Sequence, residues 1–194
     1  ERAERRLSRM AREAVPGMTI LLLGKDGQVG WELQRSLAVV GEVVALDRHG
    51  EQGLVGDLND TTGLAATVRA VRPSVIVNAA AYTAVDKAES EPALARAINT
   101  EAPDVLATEA KSLGALLVHY STDYVFDGSG HSPWTEDSVP APLSIYGATK
   151  LGGEEAIRAS GCLHLILRTS WVYGARGNNF PRTMLRLAME RDEL

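Results

Sequence analysis

The stretch that most constrains the fold is the apolar run Thr19-Ile-Leu-Leu-Leu23, which passes directly into Gly24-Lys-Asp-Gly-Gln-Val-Gly30. A short, continuous apolar run that stops at a glycine turn reads as a strand buried on both faces, the setting of a parallel sheet. A helical run to about Val40 follows, and the alternation then repeats along the chain. Strands are predicted over 43–46, 74–78, 115–120 and 163–167, and helices over 61–71 and 92–113, through Tyr146, and over 179–194. Neighbouring parallel strands need crossover connections. Strict βαβ alternation with short connections therefore predicts an α/β, Rossmann-type doubly wound parallel sheet.

At 194 residues and 45% hydrophobic content the chain can build the core of one large domain, or of a domain plus part of another. A net charge of −5 argues against a nucleic-acid or membrane-surface partner, either of which calls for a basic patch. Cys162 is the single cysteine, so no intrachain disulfide can form, and no metal-spaced Cys/His cluster is present. No apolar run approaches membrane-spanning length, and a cytoplasmic protein is the expectation. Residues 1–17 stand apart from the pattern. Ala3, Leu7, Met10 and Ala14 fall at heptad-like spacing among arginines and glutamates, which predicts a short amphipathic helix ending at Pro16-Gly17. It reads as an extension ahead of Met18, with a partner-binding arm as the functional alternative. Residues 18–194 then form the domain.

The glycine turn sits between a first strand and a first helix, the context a dinucleotide fingerprint requires. Gly24 allows the tight turn, Gly27 lets backbone N–H groups approach a pyrophosphate, and Gly30 allows close helix–strand packing. The positive end of the helix then faces the phosphates. Asp47 ends the second strand, where an acidic residue accepts ribose hydroxyls. Arg48 and His49 beside it are placed to meet a 2′-phosphate instead. Asp57-Leu58 has the look of an adenine-contacting step, although Asp57 or Asp60 would equally cap the next helix. Asn78-Ala-Ala-Ala81 carries small side chains where backbone must pass close to a cofactor; plain helix–sheet packing would explain them too.

Two further stretches carry chemistry. If Leu143-Ser-Ile-Tyr-Gly-Ala-Thr-Lys150 is helical, Tyr146 and Lys150 leave the same face one turn apart. A nearby ammonium favours the phenolate and lowers a phenol pKa that is otherwise near 10, giving a tuned general acid. Ser121-Thr-Asp-Tyr-Val-Phe126 lies at the carboxyl end of the fourth strand, where open α/β sheets place their sites. A hydroxyl there can bond a substrate oxygen in line with the phenol, or merely close a local turn.

Taken together with Asn78-Ala-Ala-Ala-Tyr-Thr-Ala-Val-Asp-Lys-Ala-Glu-Ser-Glu-Pro92 and Arg168-Thr-Ser-Trp-Val-Tyr-Gly174, these motifs resemble the dTDP-4-dehydrorhamnose reductases, a family of extended short-chain dehydrogenase/reductases. The resemblance runs from Met18 to the end of the chain. It implies reduction of the 4-keto group of dTDP-4-dehydro-L-rhamnose by NADPH or NADH, giving dTDP-L-rhamnose for cell-surface polysaccharides. It further implies Thr122, Tyr146 and Lys150 as the catalytic set. Gly24, Gly27, Gln28, Val29, Gly30, Asp47, Asp57, Leu58, Ala81, Tyr82, Thr83 and Tyr120 would line the cofactor, with Tyr146 and Lys150 touching its ribose. Thr122, Asp123 and Trp171 would meet the dTDP-sugar; without the resemblance, Trp171 is equally a core aromatic. Asp86, Lys87 and Glu89 are as well explained by a solvated helix start.

The family's smaller C-terminal substrate domain is largely absent from this chain, so weak turnover is expected of it. Some members hold Mg2+ at a dimer interface, and Glu32 matches one carboxylate position; the others would lie beyond this chain, so no metal is expected. A homodimer is compatible with the resemblance. The terminal Arg-Asp-Glu-Leu194 looks like an ER-retention tail but reads better as the end of a helix. Two alternatives share the architecture. A sugar-nucleotide 4,6-dehydratase, like other reductases and epimerases of this group, would fit the fold, but a dehydratase usually carries Asp-Glu where this chain has Asp123-Tyr124. A non-catalytic, cofactor-binding regulatory subunit is disfavoured by the retention of both Tyr146 and Lys150.

Overall fold

The computed structural model describes residues 17–191. The helix expected ahead of Gly17 falls on residues 1–16, which lie outside that range, as do the last three residues of the chain. Strands β1 (Thr19–Leu23), β2 (Glu42–Leu46), β3 (Val75–Asn78), β4 (Leu116–Thr122) and β5 (Leu163–Thr169) form one parallel sheet in the order β2-β1-β3-β4-β5. Around it lie α1 (Gln28–Leu37), α2 (Thr61–Val71), α3 (Val85–Ala88), α4 (Pro92–Arg96), α5 (Ala102–Leu113), α6 (Ile145–Ser160) and α7 (Phe180–Glu190). The chain leaves β1 toward β2 and returns on the other side to β3. The connections therefore part at the carboxyl ends of β1 and β3, and that switch point opens a cleft.

Alternation along β1 divides the core. Leu21 and Leu23 face a cluster built with Leu64 and Val68 of α2, Leu106 and Ala110 of α5, and Ile157 of α6. Ile20 and Leu22 face the other side, where Leu33 and Leu37 of α1 cover them. All four β1 side chains are essentially inaccessible, as expected of a strand covered on both faces. The opposite edge is more open: Leu163 and Leu165 of β5 are exposed, and no residue of α7 is buried.

Three boundaries depart from the sequence reading. Helix α1 stops at Leu37, because the amides of Val40 and Gly41 both turn back onto the Leu37 carbonyl and close its last turn. Strand β4 runs on to Thr122, since β5 pairs with it residue by residue as far as Thr169. The segment 92–113 is not one regular helix, as a π-helical turn (Ala97–Glu101) separates α4 from α5. At that turn the buried Asn99 accepts from the Tyr82 amide at 2.9 Å and donates to the Tyr82 carbonyl at 3.1 Å and to Thr149 Oγ1 at 3.3 Å. One side chain thus ties the loop after β3 to α6. Single π turns of this kind recur near functional sites.

Candidate functional site

The first wall of the cleft is the glycine turn. Gly24 has φ +87°, and a Cβ there would meet the Ala80 amide at 2.9 Å, so the turn lies flush against the end of β3. At Gly30 a Cβ would lie 2.0 Å from the Gly24 carbonyl oxygen, so α1 can start against the turn only without a side chain. Gly30 therefore packs the turn and does not itself line the cleft. Gly27 is the N-cap of α1, with no side-chain cap, so the first helical amides open on the cleft. Gln28 and Val29 line it, and Gln28 also accepts from Asn179 Nδ2 at 2.8 Å. At the tip of β2, the Asp47 carboxylate accepts from the His49 amide at 2.8 Å, a bond that lowers its pKa; Arg48 and His49 line the cleft beside it.

The opposite wall is built by β4, the turn after it, and α6. Two contacts fix the start of α6: Ser144 Oγ accepts from the Gly147 amide at 3.1 Å, and Glu89 accepts from the Ile145 amide at 2.8 Å. Glu89 thus has a structural task that its place in a charged stretch did not reveal. Tyr146 is 9% exposed and meets Tyr124 edge-on, with ring centroids 5.6 Å apart. Burial pushes its phenol pKa up, Thr122 pulls it down through a side-chain hydrogen bond, and the charges of Asp123 and Tyr124 push it up again. Thr122 closes β4 and also caps the 3₁₀ turn Asp123–Val125, accepting from the Tyr124 amide at 3.2 Å and donating to Asp123 Oδ1 at 3.2 Å. Asp123 accepts further from Ser170 Oγ at 2.6 Å.

Lys150 departs from the arrangement its spacing predicted. It does leave the same face of α6 as Tyr146, but its Nζ turns to β4, 2.7 Å from the Tyr120 carbonyl oxygen and 3.1 Å from His119 Nε2. It is 1% exposed, and burial pushes its pKa down to about 8, against a smaller opposing pull from Glu154. The expected lowering of the phenol pKa by the lysine is therefore not the arrangement observed. The lysine is engaged with the strand beneath it.

The cleft between the walls has a volume of about 810 Å³. It brings together Gly24, Gly27, Gln28, Val29, Asp47, Ala81, Thr83, Tyr120, Thr122, Asp123, Tyr146, Lys150 and Trp171. Trp171 is 76% exposed at φ +50° and touches Phe180 edge-on, so it is a rim residue and not a core aromatic. Besides Gly30, three expected residues are not brought to the cleft. Leu58 packs in the core with Leu46 and Leu64, and Asp57 accepts from the Asn59 amide at 2.9 Å while Asp60 caps α2 through the Gly63 amide. Tyr82 instead donates to Glu91 at 2.7 Å. Sequence reasoning missed His119 and Glu154, whose only signal was a polar residue interrupting an apolar strand or helix face. Among the described residues no group of three or more His, Cys, Asp or Glu side chains is placed to hold a metal, and Glu32 pairs with Arg35. No helix among them is long and apolar enough to cross a membrane.

The comparison with known proteins agrees with this architecture. A model of the family described as RmlD substrate binding domain matches residues 18–194. The dTDP-4-dehydrorhamnose reductase of Salmonella typhimurium strain LT2 is 58% identical over 177 residues, covering 91% of this chain and 59% of that protein. The enzyme of the same name from Escherichia coli K12 is 56% identical, with the same coverage. The chain thus spans 59% of the length of these curated relatives. A crystal structure of dTDP-4-dehydrorhamnose reductase from Bacillus anthracis strain Ames in complex with NADP superposes with a TM-score of 0.85 at 38% identity, covering 91% of this chain and 62% of that one. With a family model spanning all but the first 17 residues, and with relatives more than half identical, the chain belongs to the RmlD substrate binding domain family.

Proposed function

We propose that this chain is the cofactor-binding and proton-donating part of an NAD(P)H-dependent reductase that converts the 4-keto group of dTDP-4-dehydro-L-rhamnose to the hydroxyl of dTDP-L-rhamnose. The observation that carries the reading is the pairing, across one cleft, of a glycine turn at a helix N-terminus with Thr122 and Tyr146 at the carboxyl end of β4 and the start of α6. A dinucleotide fits the first wall: Gly24 and Gly30 leave no room for side chains, the amides after Gly27 are open, and Asp47 stands at the tip of β2. When bound there, reduced nicotinamide would supply a hydride to a carbonyl carbon. The relatives named above as dTDP-4-dehydrorhamnose reductases, one of them in complex with NADP, support the choice of substrate and cofactor. A cytoplasmic setting belongs to the same reading.

The chain's own residues divide the remaining work. Tyr146 gives its proton to the oxygen that gains charge, and burial favours the protonated phenol that a donor requires. Thr122 holds that oxygen by a hydrogen bond, so charge develops against a donor already in place. Asp123 and Trp171 stand at the rim, where a nucleotide-sugar would enter. Asp47 repels a 2′-phosphate while Arg48 attracts one, so NADH and NADPH should both be accepted.

The test is a fluorescence titration of the chain with NADPH and NADH, followed by dTDP-4-dehydrorhamnose-dependent cofactor oxidation in the protein at the relatives' length. Saturable binding of both and turnover with this sugar are expected. Tyr146→Phe keeps the ring but loses the proton, and should lower kcat by on the order of 10²-fold or more with cofactor affinity nearly unchanged. Turnover by Tyr146→Phe near the parent rate would place the proton elsewhere.

A further inference from the structure

A buried histidine lies directly beneath Lys150, and the hydrogen bonds around it run in one direction. The Ala80 amide, which can only donate, lies 3.2 Å from Asn78 Oδ1. That contact sets the Asn78 side chain with its NH₂ group toward His119, where Nδ2 lies 3.1 Å from Nδ1. Nδ1 must therefore accept, and a neutral imidazole then carries its proton on Nε2. Nε2 lies 3.1 Å from Lys150 Nζ, and Nζ in turn lies 2.7 Å from the Tyr120 carbonyl oxygen. An Nε2–H needs an acceptor, and an ammonium has none to offer.

We propose that His119 is a positioning residue for Lys150, presenting an Nε2–H to Nζ so that the lysine, while it lies against β4, is the neutral amine. A proton taken up by Lys150 abolishes the lone pair that receives this bond. Nζ must then leave His119, or the Asn78 amide must turn over and set its NH₂ against the Ala80 amide. Lys150 accordingly has two positions: neutral on the strand, or charged and released toward the cleft it lines. The use of that release in carbonyl reduction rests on the function proposed above, whereas the direction of the hydrogen-bond chain does not.

The surroundings agree. His119 is 1% exposed, and burial is the largest cause that pushes its pKa well below the ordinary histidine value, as a neutral ring requires. The titratable groups that touch or act on Nζ are His119 of β4 and Glu154 one turn on along α6; Tyr120 meets it only through its backbone carbonyl, and Tyr146 sits one turn back on the same helix. Glu154 is held by Ser121 of β4, Arg158 of its own helix and Arg168 of β5, which leaves it a weak counter-charge for the lysine. Asp123 acts on Tyr146 from the turn after β4.

Nitrogen NMR of the ¹⁵N-labelled protein at about pH 9 reads the tautomer of His119 directly. The proposal expects the proton on Nε2 and a bare Nδ1; a proton on Nδ1 would overturn it. A second measurement follows the Lys150 side-chain resonances against pH, assigned by their loss in Lys150→Met. In His119→Gln the amide is free to turn its oxygen toward an ammonium, so the lysine midpoint should rise by a unit or more, a tenfold gain in proton affinity. An unchanged midpoint in folded His119→Gln would also overturn the proposal. Loss of folding in that variant leaves the tautomer of the unaltered protein to decide. Neither reading depends on turnover, so a failed reductase assay and a failed His119 assignment remain distinct results.

Discussion

At the scale of single residues, Lys150 is where burial and chemistry conflict. Its ordinary pKa of 10.5 falls to about 8 because an ammonium is costly inside the protein. Between those two values the unfolded chain binds the proton more tightly than the folded one, so stability should rise with pH through that window and be lost again as the pH falls through about 8. Lys150→Met removes the dependence. Relative to the variant, the parent should gain roughly 3 kcal/mol between about pH 7 and pH 10.5, measured by denaturant unfolding at both ends. A difference that stays flat with pH would mean that Lys150 is not held in a desolvated site. The same residue should be needed for turnover, so the variant is expected to be inactive at every pH tested.

Among the elements, the β1–α1 unit depends on absent side chains as much as on present ones. The turn between them closes because Gly30 lets α1 approach the Gly24 carbonyl, and a Cβ at that position would lie 2.0 Å from the carbonyl oxygen. Gly30→Ala must push the helix off the turn. It should cost on the order of 1–3 kcal/mol in stability and, by tilting the first amides of α1, weaken NADPH binding. Thermal unfolding and cofactor titration on one preparation measure both. A variant as stable as the parent but unable to bind would separate the packing role from the cleft, and it is not the expected result.

For the molecule as a whole, the Glu154 carboxylate joins three elements. It is fully buried on α6 and receives Ser121 Oγ of β4 at 2.6 Å, Arg158 at 2.8 Å, and both Nε and Nη2 of Arg168 of β5 at 2.9 and 2.7 Å. Burial pushes its pKa up, but the bonds from Arg168, Ser121 and Arg158 together outweigh it, and the net shift is downward from 4.5. A depressed carboxylate stabilises the fold above its unfolded pKa, and that contribution is lost as the pH falls through the folded value. Glu154→Gln keeps the shape but leaves Arg168 without its ion pair, at a cost of about 3–5 kcal/mol at neutral pH. The variant should also lose the part of the parent's acid sensitivity that lies below pH 4.5, as acid titrations of the two would reveal.

The sheet, its parallel sense and the glycine turn were legible from the sequence because they rest on local rules. An apolar run of five residues, a glycine at a positive φ, and helices long enough to cross back leave few alternatives. Tyr146 and Lys150 were legible as a pair for the same reason, helical spacing; the strand end offered a hydroxyl from Ser121 or Thr122, and only the family resemblance singled out Thr122. Where their polar atoms point was not legible, because that depends on neighbours distant in sequence. Asn78 and His119 are 41 positions apart, and His119 and Lys150 are 31 apart. Leu58 stands in sequence at a step that resembles an adenine contact, yet the fold draws it inward beside Leu46 and Leu64, since a leucine next to an apolar core is more stable buried than at a polar cleft. Tyr82 likewise belongs to a motif expected at the cleft, but Glu91 holds its hydroxyl and Asn99 of the π turn holds its backbone. Periodicity and turn chemistry thus settled the five strands and the longer helices, though not α3 or the π turn at Ala97–Glu101. Only the packing of β3, β4 and α6 against one another decided that Lys150 lies on His119 and not on Tyr146, because a buried lysine nitrogen goes to whichever hydrogen-bond partners the tertiary structure brings within reach.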